Sequence, residues 1–143
     1  MTLRLTLKPG EAVLIGTTRL TVVSRGACTV ILEGNAPVMR AAECIDEAEA
    51  TDPLSRYRYV LQEIYLRNDL QSLQLEYITA ASRLIAAQPE MLGLVERANA
   101  YLQEGALWEA VRLGRYAGRG GTESTRRAAL TEPSPMPARE RAN

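Results

Sequence analysis

The 143-residue sequence contains no histidine and no phenylalanine, a single lysine, a single tryptophan and two cysteines. Without imidazole there is no Ser-His or Cys-His nucleophile pair, no ordinary general base poised near neutrality and no histidine ligand for zinc. Cys28 and Cys44 lie sixteen positions apart, make no CxxC pattern and cannot complete a four-ligand zinc site. No catalytic residues, metal or cofactor are therefore expected. No run of 18 apolar residues is present, so no membrane span is expected. Residues 2–9 alternate Leu with Thr and Arg instead of forming the apolar run of a secretory signal. Reduced cysteines acting as small buried or half-buried fillers in a bacterial-type cytosol follow as the expectation.

What is present suits a globular chain of one domain with a small appendage. Apolar residues make up 46% of the sequence, and a chain of this length buries roughly two thirds of its unfolded surface. Seventeen cations balance seventeen anions, but not locally. Residues 1–42 hold Arg4, Lys8, Arg19, Arg25 and Arg40 against Glu11 and Glu33, and residues 43–52 hold five acids and no base. Residues 53–110 are mildly acidic, and residues 111–143 carry seven Arg against three Glu.

The first forty residues have the period of two that marks strands. Leu3, Leu5 and Leu7 alternate with Thr2, Arg4 and Thr6, giving one buried face. In Lys8-Pro9-Gly10-Glu11, Pro at the second position and Gly at the third meet the type II requirement of a fixed φ followed by a positive one. Strands follow at 12–15, 18–23 and 28–32, separated by turns at Gly16 and Arg25-Gly26, with a brief fifth at Val38-Met39-Arg40. Short turns between such strands predict a small antiparallel meander or half-barrel.

Near residue 52 the period changes to that of a helix. Asp52-Pro53 is an N-cap followed by Pro at the first helical position. Tyr57, Val60, Leu61, Ile64 and Tyr65 then share one face. A second helix is expected from near Asp69, with Leu70, Leu73, Tyr77, Ile78, Ala81, Leu84 and Ile85 in register. Pro89 ends it and opens a third, with Leu92, Val95, Ala98, Asn99 and Leu102 inward and Gly105 just past its end, and a fourth carries Leu107, Trp108 and Val111. The fold class is thus α+β: an antiparallel β domain at 1–42, an acidic connector at 43–52, an α-helical hairpin or bundle at 53–117 and a disordered tail at 118–143.

Few signals carry chemistry. Lys8 in the Pro-Gly turn could meet a phosphate, although a hairpin turn with its Lys in water explains the motif without a ligand. Arg4, Lys8, Arg19, Arg25 and Arg40 would form a positive strip for nucleic acid if the polar strand faces align; a solvated face carries charge anyway. Arg56-Tyr57-Arg58-Tyr59 interleaves bases and aromatics as single-strand binders do, yet on a helix Tyr57 joins the apolar side and the arginines form its rim. The helical face, with Tyr57, Tyr65 and Trp108, is the candidate for contact with a partner helix. The acidic connector lacks a calcium-loop pattern, and the glycines at 10, 16, 26 and 34 are too widely spaced for a phosphate-binding loop.

The order of motifs resembles the FlbT family of flagellar biosynthesis regulators. The resemblance rests on Leu3-Arg4-Leu5-Thr6-Leu7-Lys8-Pro9-Gly10-Glu11, Ile15-Gly16, Asn35-Ala36-Pro37-Val38-Met39-Arg40, Thr51-Asp52-Pro53, Arg56-Tyr57-Arg58-Tyr59 and Gln62. It covers about residues 1–115, and Val23-Ser24-Arg25-Gly26 departs from the Asn-Gly-Asp-Arg turn of many members. The resemblance implies a cytoplasmic post-transcriptional regulator that binds the 5′ untranslated region of flagellin mRNA, works in a circuit with FlaF and flagellin, and has no catalytic residues. The strand-rich part is also similar to the carbon storage regulator family of RNA binders, through Pro9-Gly10-Glu11, Ile15-Gly16, Asn35-Ala36-Pro37 and Val38-Met39-Arg40. By order of motif that similarity implies RNA contacts at Arg4 and Arg40, and it leaves a homodimer open.

Two functions are therefore expected. The first is an RNA-binding regulator using Arg4, Lys8, Arg19, Arg25 and Arg40 on the flagellin leader. The alternative is an adaptor or chaperone directed at flagellin or FlaF through the helical face.

Overall fold

A computed structural model of the chain describes residues 1–118, so the tail expected at 118–143 lies, beyond Gly118, outside the described residues. The chain forms two compact units that meet in sequence at Cys44 and Ile45.

The first unit is built from β1 (Thr2–Leu7), β2 (Ala12–Ile15), β3 (Thr18–Thr21), β4 (Cys28–Glu33) and β5 (Val38–Arg40). Leu3, Leu5 and Leu7 are buried and the residues between them exposed, as their alternation requires. The Pro-Gly turn closes as expected: Gly10 has φ 84°, and the Glu11 N–H donates to the Lys8 carbonyl at 3.0 Å. Pairing differs from a meander. β1 pairs antiparallel with β4, and β2 lies between β3 and β5, also antiparallel, so the strands make two small sheets. Strand β3 is shorter than its apolar run. Val22 still exchanges hydrogen bonds with Gly10 and Glu11, but the chain beyond it has passed the start of β2, and Val23 is 93% exposed. The side chains of Ala12, Val13, Val22, Val38 and Met39 are buried with the three leucines of β1. Cys28 and Cys44 are half-buried and make no disulfide.

The second unit begins at Ile45 and contains α1 (Pro53–Arg67), α2 (Gln74–Ala87), α3 (Leu92–Gln103) and α4 (Leu107–Gly118). Asp52 caps α1 by accepting the Ser55 N–H at 3.2 Å, and hydrogen bonds from the Ser55 hydroxyl and then its N–H hold the carboxyl below the usual range. Helix α1 stops at Asn68, whose φ of 51° is left-handed, and Asp69 then accepts the Ser72 N–H at 3.1 Å. Those two residues delay α2 to Gln74, so Leu70 and Leu73 sit in the turn and not in the helical register. Gly105, at φ 77°, ends α3 with the Ala106 N–H donating to the Tyr101 carbonyl at 2.8 Å.

Helix α1 packs against both α2 and α4, and α3 packs against α4, while α2 and α3 touch lightly. The α1/α4 contact is close enough that a Cβ on Gly114 would stand 3.2 Å from Leu61 Cδ1. The light α2/α3 contact explains three departures from expectation, since Ile78, Leu92 and Asn99 are exposed. Two buried polar ties complete the unit. Tyr57 donates to the Tyr77 hydroxyl at 3.0 Å, and Tyr77 donates to Asn99 Oδ1. Burial raises the pKa of both phenols. Gln62, itself buried, clasps the backbone of Ile45 with both ends of its amide.

Candidate nucleic-acid interface

The five cations of the first unit occupy distinct places on it. Arg4 stands on the outer face of β1 directly across from Ile31 of β4, and Ile31 is 61% exposed. On either side of this pair lie Thr2 opposite Glu33, and Thr6, whose hydroxyl lies 3.2 Å from that of Thr29. A cation, an apolar side chain, hydroxyls and, at one end, the carboxylate of Glu33 thus share one solvent-facing patch. That combination suits an unstacked nucleotide: guanidinium for phosphate, apolar surface for a base, hydroxyls for sugar or base edges.

Glu11 bridges the backbone of Lys8 and the side chain of Arg40. Glu11 Oε1 accepts the Lys8 N–H at 2.6 Å, and Glu11 Oε2 lies 3.9 Å from Arg40 Nη1. The ion pair is long and partly solvated, with side-chain exposures of 26% for Arg40 and 36% for Glu11. A pair of that kind stabilises by about 0–1 kcal/mol. The sequence showed Glu11 only as a counter-charge. Its position three residues after Lys8 in a Pro-Gly turn is the signal that identifies it as a bridge.

Arg19 does not join them. Val13 pairs with both Leu20 and Arg40, and Leu14 pairs with both Arg19 and Met39. Adjacent rows of a sheet point to opposite faces, so Arg19 and Arg40 lie on opposite sides of the three-stranded sheet. Arg25 is exposed in the bend at 24–26, where Ser24 Oγ donates to the Gly26 carbonyl at 2.8 Å. In place of a single aligned strip there are a patch at Arg4, the Arg40 side chain paired with Glu11 beside the turn that carries Lys8, and Arg19 and Arg25 apart from them.

The partner-contact residues expected in the helices are core residues. Tyr57, Tyr65 and Trp108 are all buried. Tyr57 rests on Tyr77 with ring centroids 5.6 Å apart, and Tyr65 rests on Trp108 at 5.2 Å. The Arg115 guanidinium lies 5.6 Å from the Trp108 ring. Side chains so enclosed have no surface to offer, and their spacing on apolar faces is the spacing of a core.

Comparison with known proteins decides the family. The sequence matches the model of the flagellar protein FlbT over residues 3–117. The chain belongs to the FlbT family. It is similar to the probable flagellum biosynthesis repressor protein FlbT of Rhodopseudomonas palustris strains TIE-1 and ATCC BAA-98 / CGA009, with 31% identity over 112 residues in each case. The alignment covers 78% of this chain and 88% of each relative. It is also similar to the probable flagellum biosynthesis repressor protein FlbT 1 of Bradyrhizobium diazoefficiens, at 24% identity over 78% of this chain and 77% of that one. No solved structure matches the chain. The FlbT match takes in residues of both units, including the strands that carry Arg4 and Arg40 and the turn that carries Lys8. Among the described residues no helix is long and apolar enough to cross a membrane.

Proposed function

We propose that this FlbT-family chain regulates flagellin synthesis after transcription by binding the 5′ untranslated region of flagellin mRNA. It does so as a binding protein in the cytoplasm and not as a catalyst, in a circuit with flagellin and FlaF. The observation that carries the reading is the first unit, where five cations face two acids over residues 1–42 and four of the five cations are exposed. The names of its relatives, probable flagellum biosynthesis repressor proteins, support a regulatory role in flagellar synthesis.

Within this reading the cations divide the work. Arg4 beside exposed Ile31 offers a combined phosphate and base contact on one side of the unit. Arg40, whose charge Glu11 moderates, and the exposed Lys8 of the preceding turn offer further cationic contacts. Arg19 and Arg25 add long-range attraction, which makes affinity depend on salt with a slope of about −0.7 per phosphate neutralised on a single strand.

Fluorescence anisotropy with a labelled flagellin leader tests this. The Arg4→Ala/Arg40→Ala double variant should lose about tenfold or more in affinity, because contacts of this kind carry about 1–3 kcal/mol each. Undiminished binding would overturn the site.

A second reading, an adaptor that binds flagellin or FlaF, draws support from the exposed apolar side chains of Leu75, Ile78 and Leu92. Flagellin or FlaF co-purifying after nuclease treatment would favour it.

A further inference from the structure

Helix α2 has the composition of a covered helix and the surroundings of a surface one. It carries two charged side chains, Glu76 and Arg83, in fourteen residues, yet only Tyr77, Ala80, Ala81 and Leu84 are buried. Leu75, near its start, is 72% exposed. Near its end, Ala86 and Ala87 join Ala50 and Pro53 in walling an open cavity of about 770 Å³, over which Arg56 and Arg83 stand. A second hollow of about 260 Å³ shares Arg56, Ala80 and Arg83 with the first and runs on along α2 to Glu76 and Leu75. One face of the α1/α2 pair therefore bears an apolar knob at one end and, at the other, a hole walled by alanines and Pro53 and edged by Thr51, Asp52, Arg56 and Arg83.

Charge follows the same order. Glu76 and Arg83 are two turns apart, about 10.5 Å along the axis, which is too far to pair with one another. Among the described residues neither forms an ion pair, whereas Arg56 is matched by Glu47 at 3.6 Å.

We propose that this face is a homodimer interface in which α2 packs antiparallel against α2 of a second copy, about a two-fold axis near Thr79 and Ala80. Reversal of the helix brings Leu75 of each copy to the cavity of the other. It also brings each Glu76 to Arg83 of the second copy. A knob and a hole, and an acid and a base, placed in opposite order on one face are what an isologous contact requires, since residue i must meet j while j meets i. An unrelated partner would have no reason to need both halves on this chain. The contact area of one helical face is smaller than a standard interface of about 1,600 Å², so the dimer is concentration-dependent and not obligate. The interface belongs to the second unit and is independent of the RNA-binding reading.

Sedimentation velocity on the full chain over a range of concentrations tests the proposal. Leu75→Glu, Glu76→Arg and Arg83→Glu should each weaken dimerisation about tenfold or more, since every substitution acts twice across the axis. The Glu76→Arg/Arg83→Glu double variant should return the dimer to within a few-fold of wild type, because it restores both pairs in reverse. All three residues are exposed, and unchanged circular dichroism verifies folding. As a second measurement, Thr79→Cys in a Cys28→Ser/Cys44→Ser background should form an intermolecular disulfide. A monomer at every concentration overturns the proposal. A dimer insensitive to the single charge reversals, or not rescued by the double one, overturns it equally.

Discussion

Replacing Gln62 by leucine should unlatch residues 45–50 from helix α1. Gln62 is buried, and its amide forms a two-bond ring with one residue: the Ile45 N–H donates to Oε1 at 2.8 Å, and Nε2 donates to the Ile45 carbonyl at 3.0 Å. Leucine nearly conserves volume, so the cost is polar and not a cavity. Each neutral hydrogen bond contributes about 1 kcal/mol net, and a backbone group left without a partner costs about 1–3 kcal/mol. Ile45 is half-buried, so water replaces part of what is lost, and the sum is about 2–4 kcal/mol. At roughly 4 °C per kcal/mol for a chain of this size, Tm should fall by about 8–16 °C. Urea titration followed by circular dichroism gives the free energy, and hydrogen exchange should show faster exchange at residues 45–50 before any change in α1. A loss below about 0.5 kcal/mol would refute the reasoning, because surface substitutions without such ties fall in that range.

Three other outcomes follow from the geometry. Glu11→Gln keeps an acceptor for the Lys8 N–H and removes the charge beside Arg40, so affinity for the leader RNA should rise about two- to fivefold, with a steeper salt slope; unchanged or weaker binding would contradict the role given to Arg40. Gly114→Val should destabilise by about 1–3 kcal/mol in a denaturant titration, because a Cβ there already stands 3.2 Å from Leu61 Cδ1 and 3.4 Å from Arg58 Cγ; a neutral result would mean that α1 and α4 separate freely. Asp52→Ala should cost about 1 kcal/mol near neutrality through loss of the cap. The Asp52 carboxyl titrates below 3.8 because it accepts hydrogen bonds from Ser55. Its contribution is present above that value and lost as pH falls through the lower folded one, so the gap to wild type should narrow in acid, and a constant gap down to about pH 2 would contradict it.

Local features of the fold were legible because their causes are local. The buried face of β1, the type II turn at Pro9-Gly10, the cap at Asp52-Pro53 and the stop at Gly105 each follow from one residue type at one position. Strand order was not legible, since β1 joins β4 across more than twenty residues and nothing in the alternation of either strand names its partner. The start of α2 was misplaced because apolar periodicity runs through Leu70 and Leu73, while the left-handed turn at Asn68 and the Asp69 cap override it. Register between strands also decided where the cations lie. Arg19 and Arg40 look alike in sequence, yet one row of β2 separates the faces they occupy. Gln62 stood out only by resemblance, because a buried amide on a helix has no signal of its own until the backbone it binds is in place.

The central claim is that the β unit meets RNA. Photocrosslinking of the flagellin leader to the intact chain, followed by identification of the linked peptides, measures that contact directly. The account predicts crosslinks on peptides spanning Arg4 to Lys8 and Val38 to Arg40. Crosslinks confined to residues 45–118, or none under conditions where the leader binds, would contradict it.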